Sequence, residues 1–365
     1  MSGDSSMILI GIGTAGCAMA RGVSRAFGEG LRYLLADTDA TSGLGGGPCV
    51  LLGGDRLSGR GTGGDFVTGR LAAEDSISSL DDHLANTRLA VIVTALGGGT
   101  GGGVTLEVAK HLSEHGIPSV VFATTPFTFE GEDRQRNARG VMSMIEDAAG
   151  ATFFMPLDKV IANADAMTDA MQRAVDTIAS GVTLFWRLIE KPGYIRLDAE
   201  RLRRLLSGVG RGRFAAVTAQ GPSRAAEAID QILRSEMLAA ASGPVHAMLC
   251  GILAGDDLLL GEVGAVASKV QEHFGGQTFD IGTVNDEATF SGRLSVVVML
   301  FEPRAQSCSV PSSKSQDGVR RRKPKSALAL GPTGRGRFKN AAPTIWNGED
   351  LDIPTFIRKN LNLDF

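Results

Sequence analysis

The sequence predicts an α/β chain built on a parallel sheet, and three observations carry that expectation. Short apolar, β-branched stretches (residues 7–10, 89–94 and 119–124) alternate with segments whose apolar residues recur at helical spacing. The apolar stretches run into glycine-rich turns, the densest being Gly97-Gly98-Gly99-Thr100-Gly101-Gly102-Gly103. That run is flanked by a strand pattern before it and a helix pattern over 104–112 after it. Glycines without Cβ let backbone N–H groups turn toward one point, and a helix N-terminus adds partial positive charge there. Such a nest suits a phosphate chain. No Gly-Lys-Ser/Thr follows the glycines, so the loop is not the common P-loop.

At 365 residues the chain has the length for two domains and a tail, and 43% hydrophobic content suffices for sizeable cores. A net charge of -3 offers nothing to draw nucleic acid. Cys17, Cys49, Cys250 and Cys308 lie far apart with no metal-type pairing, as expected of reduced thiols in a cytosol-like compartment. The histidines are scattered too, so none is taken as a catalyst and no metal ligands are assigned. Met1-Ser2-Gly3-Asp4 lacks a basic n-region, and no segment approaches bilayer-spanning length; a soluble protein without a signal peptide is expected.

In chain order, the strand at 7–10 runs into Gly11-Ile12-Gly13-Thr14-Ala15-Gly16, a G-x-G-x-x-G sequence followed by a helical stretch from Cys17 to about Phe27. A second strand over 32–36 ends in Asp37-Thr38-Asp39. An acid about twenty positions beyond the last glycine completes the dinucleotide fingerprint, so a nicotinamide- or flavin-dependent oxidoreductase is the competing reading. The second glycine loop, Gly59-Arg60-Gly61-Thr62-Gly63-Gly64-Asp65, weighs against it. Three loops converging on the strand ends of a parallel sheet suit a triphosphate better than a pyrophosphate.

Pro126 ends the strand at 119–124, and a helix is expected from about Arg134 to Ala148. Glu130 can accept from sugar hydroxyls and Arg134, one turn later, can reach a phosphate; alone the two would be an exposed i,i+4 ion pair. Farther on, 225–233 is helical in pattern, while 245–253 and 294–300 read as strands, with His246 a core or edge histidine. From Arg304 to Asn340 the composition turns to Ser, Pro, Lys, Arg and Gly, which cannot bury enough apolar surface to fold and reads as a flexible linker. Its basic cluster, Arg320 to Lys325, is read as a solvated spacer, with acidic lipid or nucleic acid as the alternative contact. Beyond it, Pro354 can open a short helix with Ile353, Phe356 and Ile357 on one face, suited to a partner's groove.

The chain resembles the FtsZ/tubulin family. The residues that carry the resemblance are Gly59 to Asp65, Gly97 to Gly103, Pro126-Phe127-Thr128-Phe129-Glu130-Gly131 with Arg134, and Asp158-Lys159. It runs from about Met7 to Pro303 and returns at the extreme C-terminus. By this resemblance a GTP-binding domain spans 1–165, and a long central helix, 166–191, joins it to a second α/β domain, 192–303. A disordered basic linker, 304–343, and a partner-binding peptide, 344–365, follow.

The resemblance also implies the site. GTP phosphates would meet Gly13, Thr14, Ala15, Gly16, Thr62, Gly63, Gly64, Gly97, Gly98, Gly99, Thr100 and Gly101, with Mg²⁺ bound alongside; Glu130 and Arg134 would reach ribose and phosphate. On the base side the family's asparagine, phenylalanine and polar reader fall on Ala18, Met171 and Val175, leaving Asp37 to accept from guanine or ribose and weakening discrimination. The next subunit would complete each site through the loop 192–202. There Asp198 matches the first acidic position; Arg201 stands at the second and Arg196 at the usual asparagine, with Glu200 adjacent. Arg196 and Arg201 could instead approach the γ-phosphate in trans, as arginine fingers do.

The implied activity is a GTPase that assembles head-to-tail into filaments of the bacterial division ring, in the cytoplasm at midcell. Ile353, Pro354, Phe356 and Ile357 would attach it to membrane-tethering division proteins. The alternative within the family is a slow or non-hydrolysing scaffold that co-assembles with a second family member.

Overall fold

The structure, a computed structural model of the chain, describes residues 6–42, 47–160, 167–191, 193–197, 199–206, 208–239, 244–304, 345–346 and 349–350. Side chains at 167–171 and 199, and those of the last two segments, are outside the description. The chain divides into two units, residues 1–307 and 308–365. Of the second unit, the described part is an antiparallel pair, Ile345–Trp346 with Glu349–Asp350. Ile353, Pro354, Phe356 and Ile357 lie outside the described residues.

The first unit is organised on one sheet of ten strands: β1 (Met7–Ile12), β2 (Tyr33–Asp37), β3 (Cys49–Leu51), β4 (Leu89–Ala95), β5 (Ser119–Thr125), β6 (Ala151–Pro156), β7 (Val209–Gln220), β8 (Ala247–Ala254), β9 (Thr278–Asn285) and β10 (Arg293–Pro303). The order is β3-β2-β1-β4-β5-β6-β7-β10-β8-β9. From β3 to β7 every pairing is parallel, β10 is antiparallel to both its neighbours, and β8 pairs β9 in parallel. Helices of seven residues or more are α1 (Gly13–Phe27), α2 (Phe66–Ser76), α3 (Thr105–Glu114), α4 (Glu132–Ala148), α5 (Met167–Glu190), α6 (Ala199–Leu205), α7 (Arg224–Leu233) and α8 (Leu260–Phe274).

Continuous apolar strands form the centre because helices cover both faces. Along β1, Met7 and Leu9 join a cluster with Val91, Phe122, Phe153 and Trp186, while Ile8, Ile10 and Ile12 join one with Ile92, Val121 and Val141. The first cluster also takes Val182 and Phe185 of α5, Leu249 and Leu253 of β8 and Val297 of β10, so one core spans both halves of the sheet. An aromatic group crosses the same seam: Phe153 of β6 lies 6.0 Å from Phe214 of β7 and 5.7 Å from Phe301 of β10. Helix α5 packs on α1 where Gly22 leaves room, since a Cβ there would come within 2.9 Å of Ala179.

Chain order runs from β1 outward to β2 and β3, then returns to β4 on the other side of β1. That reversal is a topological switch point, where the carboxyl ends of parallel strands open a crevice for a ligand. The helix expected from Cys17 in fact begins at Gly13, because Gly13 makes the turn at φ +73° and the following residues form the first helical turn. Strands β6, β7 and β9 and helices α2 and α8 have no counterpart in the sequence reading, and the loop expected over 192–202 turns helical at Ala199 (α6).

Candidate functional site

The end of β2, the 59–65 loop and the loop leaving β4 meet at one hydroxyl. Thr100 Oγ1 lies 2.7 Å from Thr38 Oγ1, at the end of β2, and 3.4 Å from Thr62 Oγ1, in the 59–65 loop. The same neighbourhood is laced by backbone: Gly61 N–H donates to Thr38 O and Ala40 N–H to Gly59 O. Thr94 Oγ1, at the end of β4, donates to Ile12 O at 3.3 Å and Gly101 O at 3.2 Å. A Cβ on Gly13 would lie 3.7 Å from Gly101 N, so the first turn of α1 abuts the 97–103 loop.

Residues Thr100–Val104 form a turn of π-helix that continues into α3, a widened geometry that recurs at functional sites. The amino ends of α1 and of this continuous helix therefore converge on one crevice, where their unpaired N–H groups favour an anion. Residues 97–104 contain no lysine, so the cradle offers backbone donors and helix dipoles.

The glycines divide into two kinds. Gly16, Gly99 and Gly101 let backbone pass backbone: added Cβ atoms would meet Val93 O at 2.4 Å, Asp65 O at 2.1 Å and Ala95 O at 1.9 Å. Gly63, Gly64 and Gly98 face open space, with nothing within 4 Å of an added Cβ. Gly63, Gly64 and Gly97 also have positive φ, which disfavours any side chain. Thr14 is exposed and Ala15 half-buried at the mouth. Asp65 caps α2 through Thr68, whose hydroxyl and N–H hold the Asp65 carboxyl below the usual carboxylate range.

On the β5 side, Pro126 packs against Gly97, where a Cβ would meet its ring at 2.7 Å. Glu130 accepts from Phe127 N–H at 2.9 Å and pairs with exposed Arg134 at 2.6 Å. Asp158 accepts from Thr128 N–H at 3.1 Å and from its hydroxyl at 2.5 Å, fixing the loop from below. Asn137 donates to Gly97 O at 3.5 Å. Glu130 and Arg134 thus stand beside the cradle, bonded to each other.

On the base side, Ala18 is half-buried on α1, and half-buried Val175 of α5 packs against the core near Gly22. Met171 lies on α5 with its side chain outside the described residues. Asp37 is buried, accepting from Thr14 Oγ1 at 3.2 Å, Thr38 N–H at 2.7 Å and Asp39 N–H at 3.3 Å. Its carboxylate fastens the β1–α1 turn to the end of β2. Beneath it the Cys17 thiol is pushed up to about 12 by burial and by the charge of Asp37, so it stays protonated.

The loop at 193–201 lies at the other edge of the sheet. Ile195 exchanges hydrogen bonds with Thr283 of β9, and Gly193 touches the Thr283 carbonyl so closely that a Cβ would fall 1.7 Å from it. Arg196 is exposed and Leu197 buried; Asp198 lies outside the described residues. Glu200 pairs with Arg203 through two bonds of 2.9 and 2.8 Å. The Arg203 hydrogen bonds hold its carboxyl below the usual range, with the charges of Arg204 and Arg88 adding to them. Arg88 immediately precedes β4, whereas Gly97 follows it. Seven residues of strand, roughly 20 Å, therefore separate Glu200's surroundings from the glycine cradle. Arg201 closes on Asp280 of β9, its Nε 2.8 Å from Oδ1. Sequence reasoning missed this partner because nothing local marks Asp280.

These features can be set beside known proteins. The family model described as Tubulin/FtsZ family, GTPase domain, matches residues 6–165. The cell division protein FtsZ of Pseudomonas putida is 30% identical over 285 residues, covering 76% of this chain and 72% of that protein. A solved FtsZ dimer from M. jannaschii aligns with a TM-score of 0.75 at 24% identity, over 81% of this chain and 88% of that one, a likeness of fold. CetZ2 from Haloferax volcanii, solved as a GTPγS-bound protofilament, aligns with a TM-score of 0.70 at 25% identity, over 81% and 93%. The oxidoreductase reading is not favoured by any of these. Among the described residues no helix is long and apolar enough to cross a membrane.

Proposed function

This chain belongs to the Tubulin/FtsZ family, and from that premise we propose that it binds GTP in the glycine cradle and assembles head-to-tail into filaments of the bacterial division ring. The observation that carries the proposal is the separation between cradle and loop. Gly63, Gly64 and Gly98 open at one edge of the sheet, and Glu200 lies at the other. Within one chain the two cannot meet. A second copy stacked end to end brings the loop of one to the cradle of the next, a heterologous contact that propagates.

The open backbone of Gly63, Gly64 and Gly98 and the helix end at Thr100 suit a phosphate chain, with Glu130 and Arg134 beside it. Mg²⁺ bound with the nucleotide would neutralise phosphate charge; it keeps several waters, and no protein ligand set is assigned to it. In the neighbouring copy, Asp198 orients the attacking water and accepts its proton. The C-terminal residues Ile353, Pro354, Phe356 and Ile357 dock on a membrane-tethering division protein, which keeps the filament at midcell.

A second reading, a slow scaffold that co-assembles with another family member, is favoured by one observation. Arg201 is tied to Asp280 and Glu200 to Arg203, so both side chains are engaged within their own chain. Negative-stain electron microscopy with GTP, with GDP and without nucleotide tests assembly; filaments in GTP alone support it and particles in all three contradict it. Phosphate release, alone and mixed with a second family member, separates the two readings.

A further inference from the structure

We propose that Asp81, His111 and His115 form a binding site for a divalent transition-metal ion of the zinc class. A ligand atom from each lies within 4.8 Å of the other two. His111 sits in the last turn of α3 and His115 caps that helix, so the i,i+4 spacing puts both rings on one face. Their centroids are 4.3 Å apart at a tilt of 50°. Asp81 comes from a different element, the short helical turn Asp81–Leu84, and its Oδ1 is 2.6 Å from His111 Nε2. Two imidazoles on one helix and a carboxylate across from them form a donor set suited to zinc.

The protonation pattern favours coordination. His115 Nδ1 is 2.8 Å from the His111 carbonyl, which can only accept, so Nδ1 carries the proton and the lone pair is on Nε2. At His111 the ion takes the Nε2 lone pair of the neutral Nδ1–H ring, a form reached by proton exchange with solvent as the Asp81 contact opens. The Asp81 side chain is 48% exposed and can move to open its contact with His111 to coordination distance. Three protein ligands leave a fourth position for water or for a side chain of another molecule.

This site is separate from the nucleotide cradle. The cradle is at Thr100 and His115 at the far end of the same continuous helix, roughly 20 Å away at the helical rise. Imidazole donors select zinc-class ions, whereas Mg²⁺ takes oxygen ligands and keeps its water, so Mg²⁺ accompanying GTP does not compete. The sequence reading treated the histidines as scattered and assigned no metal ligands; the fold brings Asp81 to the pair spaced four apart on α3.

The test is Zn²⁺ competition against a chromophoric chelator, with Co²⁺ absorption as a second readout, on the full chain in excess Mg²⁺. A Cys49→Ser, Cys308→Ser background removes thiolate ligands. One ion per chain is expected, with affinity falling about tenfold or more in His111→Ala, His115→Gln and Asp81→Asn and unchanged in His246→Ala. His115→Gln is the decisive variant, because His115 is exposed at the helix end and its change leaves the core intact. GTP retention is measured in parallel and stays at the parent level in His115→Gln. Zn²⁺ affinity equal in the parent and in the His111→Ala, His115→Gln double variant, whether tight or absent, overturns the proposal.

Discussion

Gly69 of α2 rests directly on the carbonyl of Gly99: a Cβ added at Gly69 would fall 2.2 Å from that oxygen. Helix α2 thereby braces the glycine cradle from behind, while Gly98 on the other side faces open space. The two glycines predict opposite phenotypes. Gly69→Ala forces backbone apart and lowers stability by roughly 1–3 kcal/mol, the range for overpacking. Gly98→Ala leaves unfolding within about 0.5 kcal/mol of wild type, as surface changes do, yet weakens GTP binding by placing a methyl group in the cradle. Thermal unfolding and a nucleotide filter assay on both variants check the contrast.

Thr100 ties three loops through one hydroxyl, 2.7 Å from Thr38 and 3.4 Å from Thr62. Thr100→Val keeps the shape and removes the hydrogen bonds. A loss of about 1 kcal/mol, or about fivefold in GTP affinity, is expected by fluorescent-nucleotide titration.

Arg187 fastens α5 to both halves of the sheet. It is buried, pairs with Asp286 at 3.1 Å and donates to the carbonyls of Ala26 and Phe27 at 3.3 and 3.2 Å. Arg187→Ala removes the cation beside Asp286, which keeps its bonds from Thr289, takes a donor from the α1 carbonyls, and costs roughly 1–3 kcal/mol of stability in urea unfolding. Arg187→Met, which keeps the volume, costs less than Arg187→Ala.

Glu262 supplies a pH dependence. The hydrogen bonds from Arg224 hold its carboxyl below the ordinary 4.5, against the opposing effect of burial. A depressed folded-state pKa contributes stability that is present above the unfolded value and lost as pH falls through the folded one. The urea midpoint therefore declines as pH drops below 4.5, and Glu262→Gln makes that decline shallower.

The cradle was legible in the sequence because its geometry forbids side chains. At Gly97, φ of +101° and a Pro126 contact at 2.7 Å leave glycine as the residue that fits, and close backbone approaches impose it at Gly99, Gly101 and Gly103. The parallel strands were legible for the same kind of reason, since β1 and β4 are buried on both faces and must be apolar throughout. Strand β9 escaped notice because its first half is only partly buried and its apolar run is broken by Gly282, which makes room for Leu188. Arg201 illustrates the limit more sharply. Its sequence position fits an arginine finger, but its partner Asp280 lies 79 residues away, and only the fold brings them together. Asp37 likewise satisfies a dinucleotide fingerprint by spacing, while in the fold it accepts from Thr14, Thr38 and Asp39.

The central proposal is that the glycine cradle of one copy is completed by the 193–201 loop of the next. Phosphate release per chain, measured in saturating GTP over a range of protein concentrations with pelleting followed in parallel, tests it most directly. The account predicts a rate per chain that is negligible in dilute protein and climbs once material begins to pellet. A rate per chain that holds constant at every concentration would mean that a single molecule carries the whole site, and would contradict it.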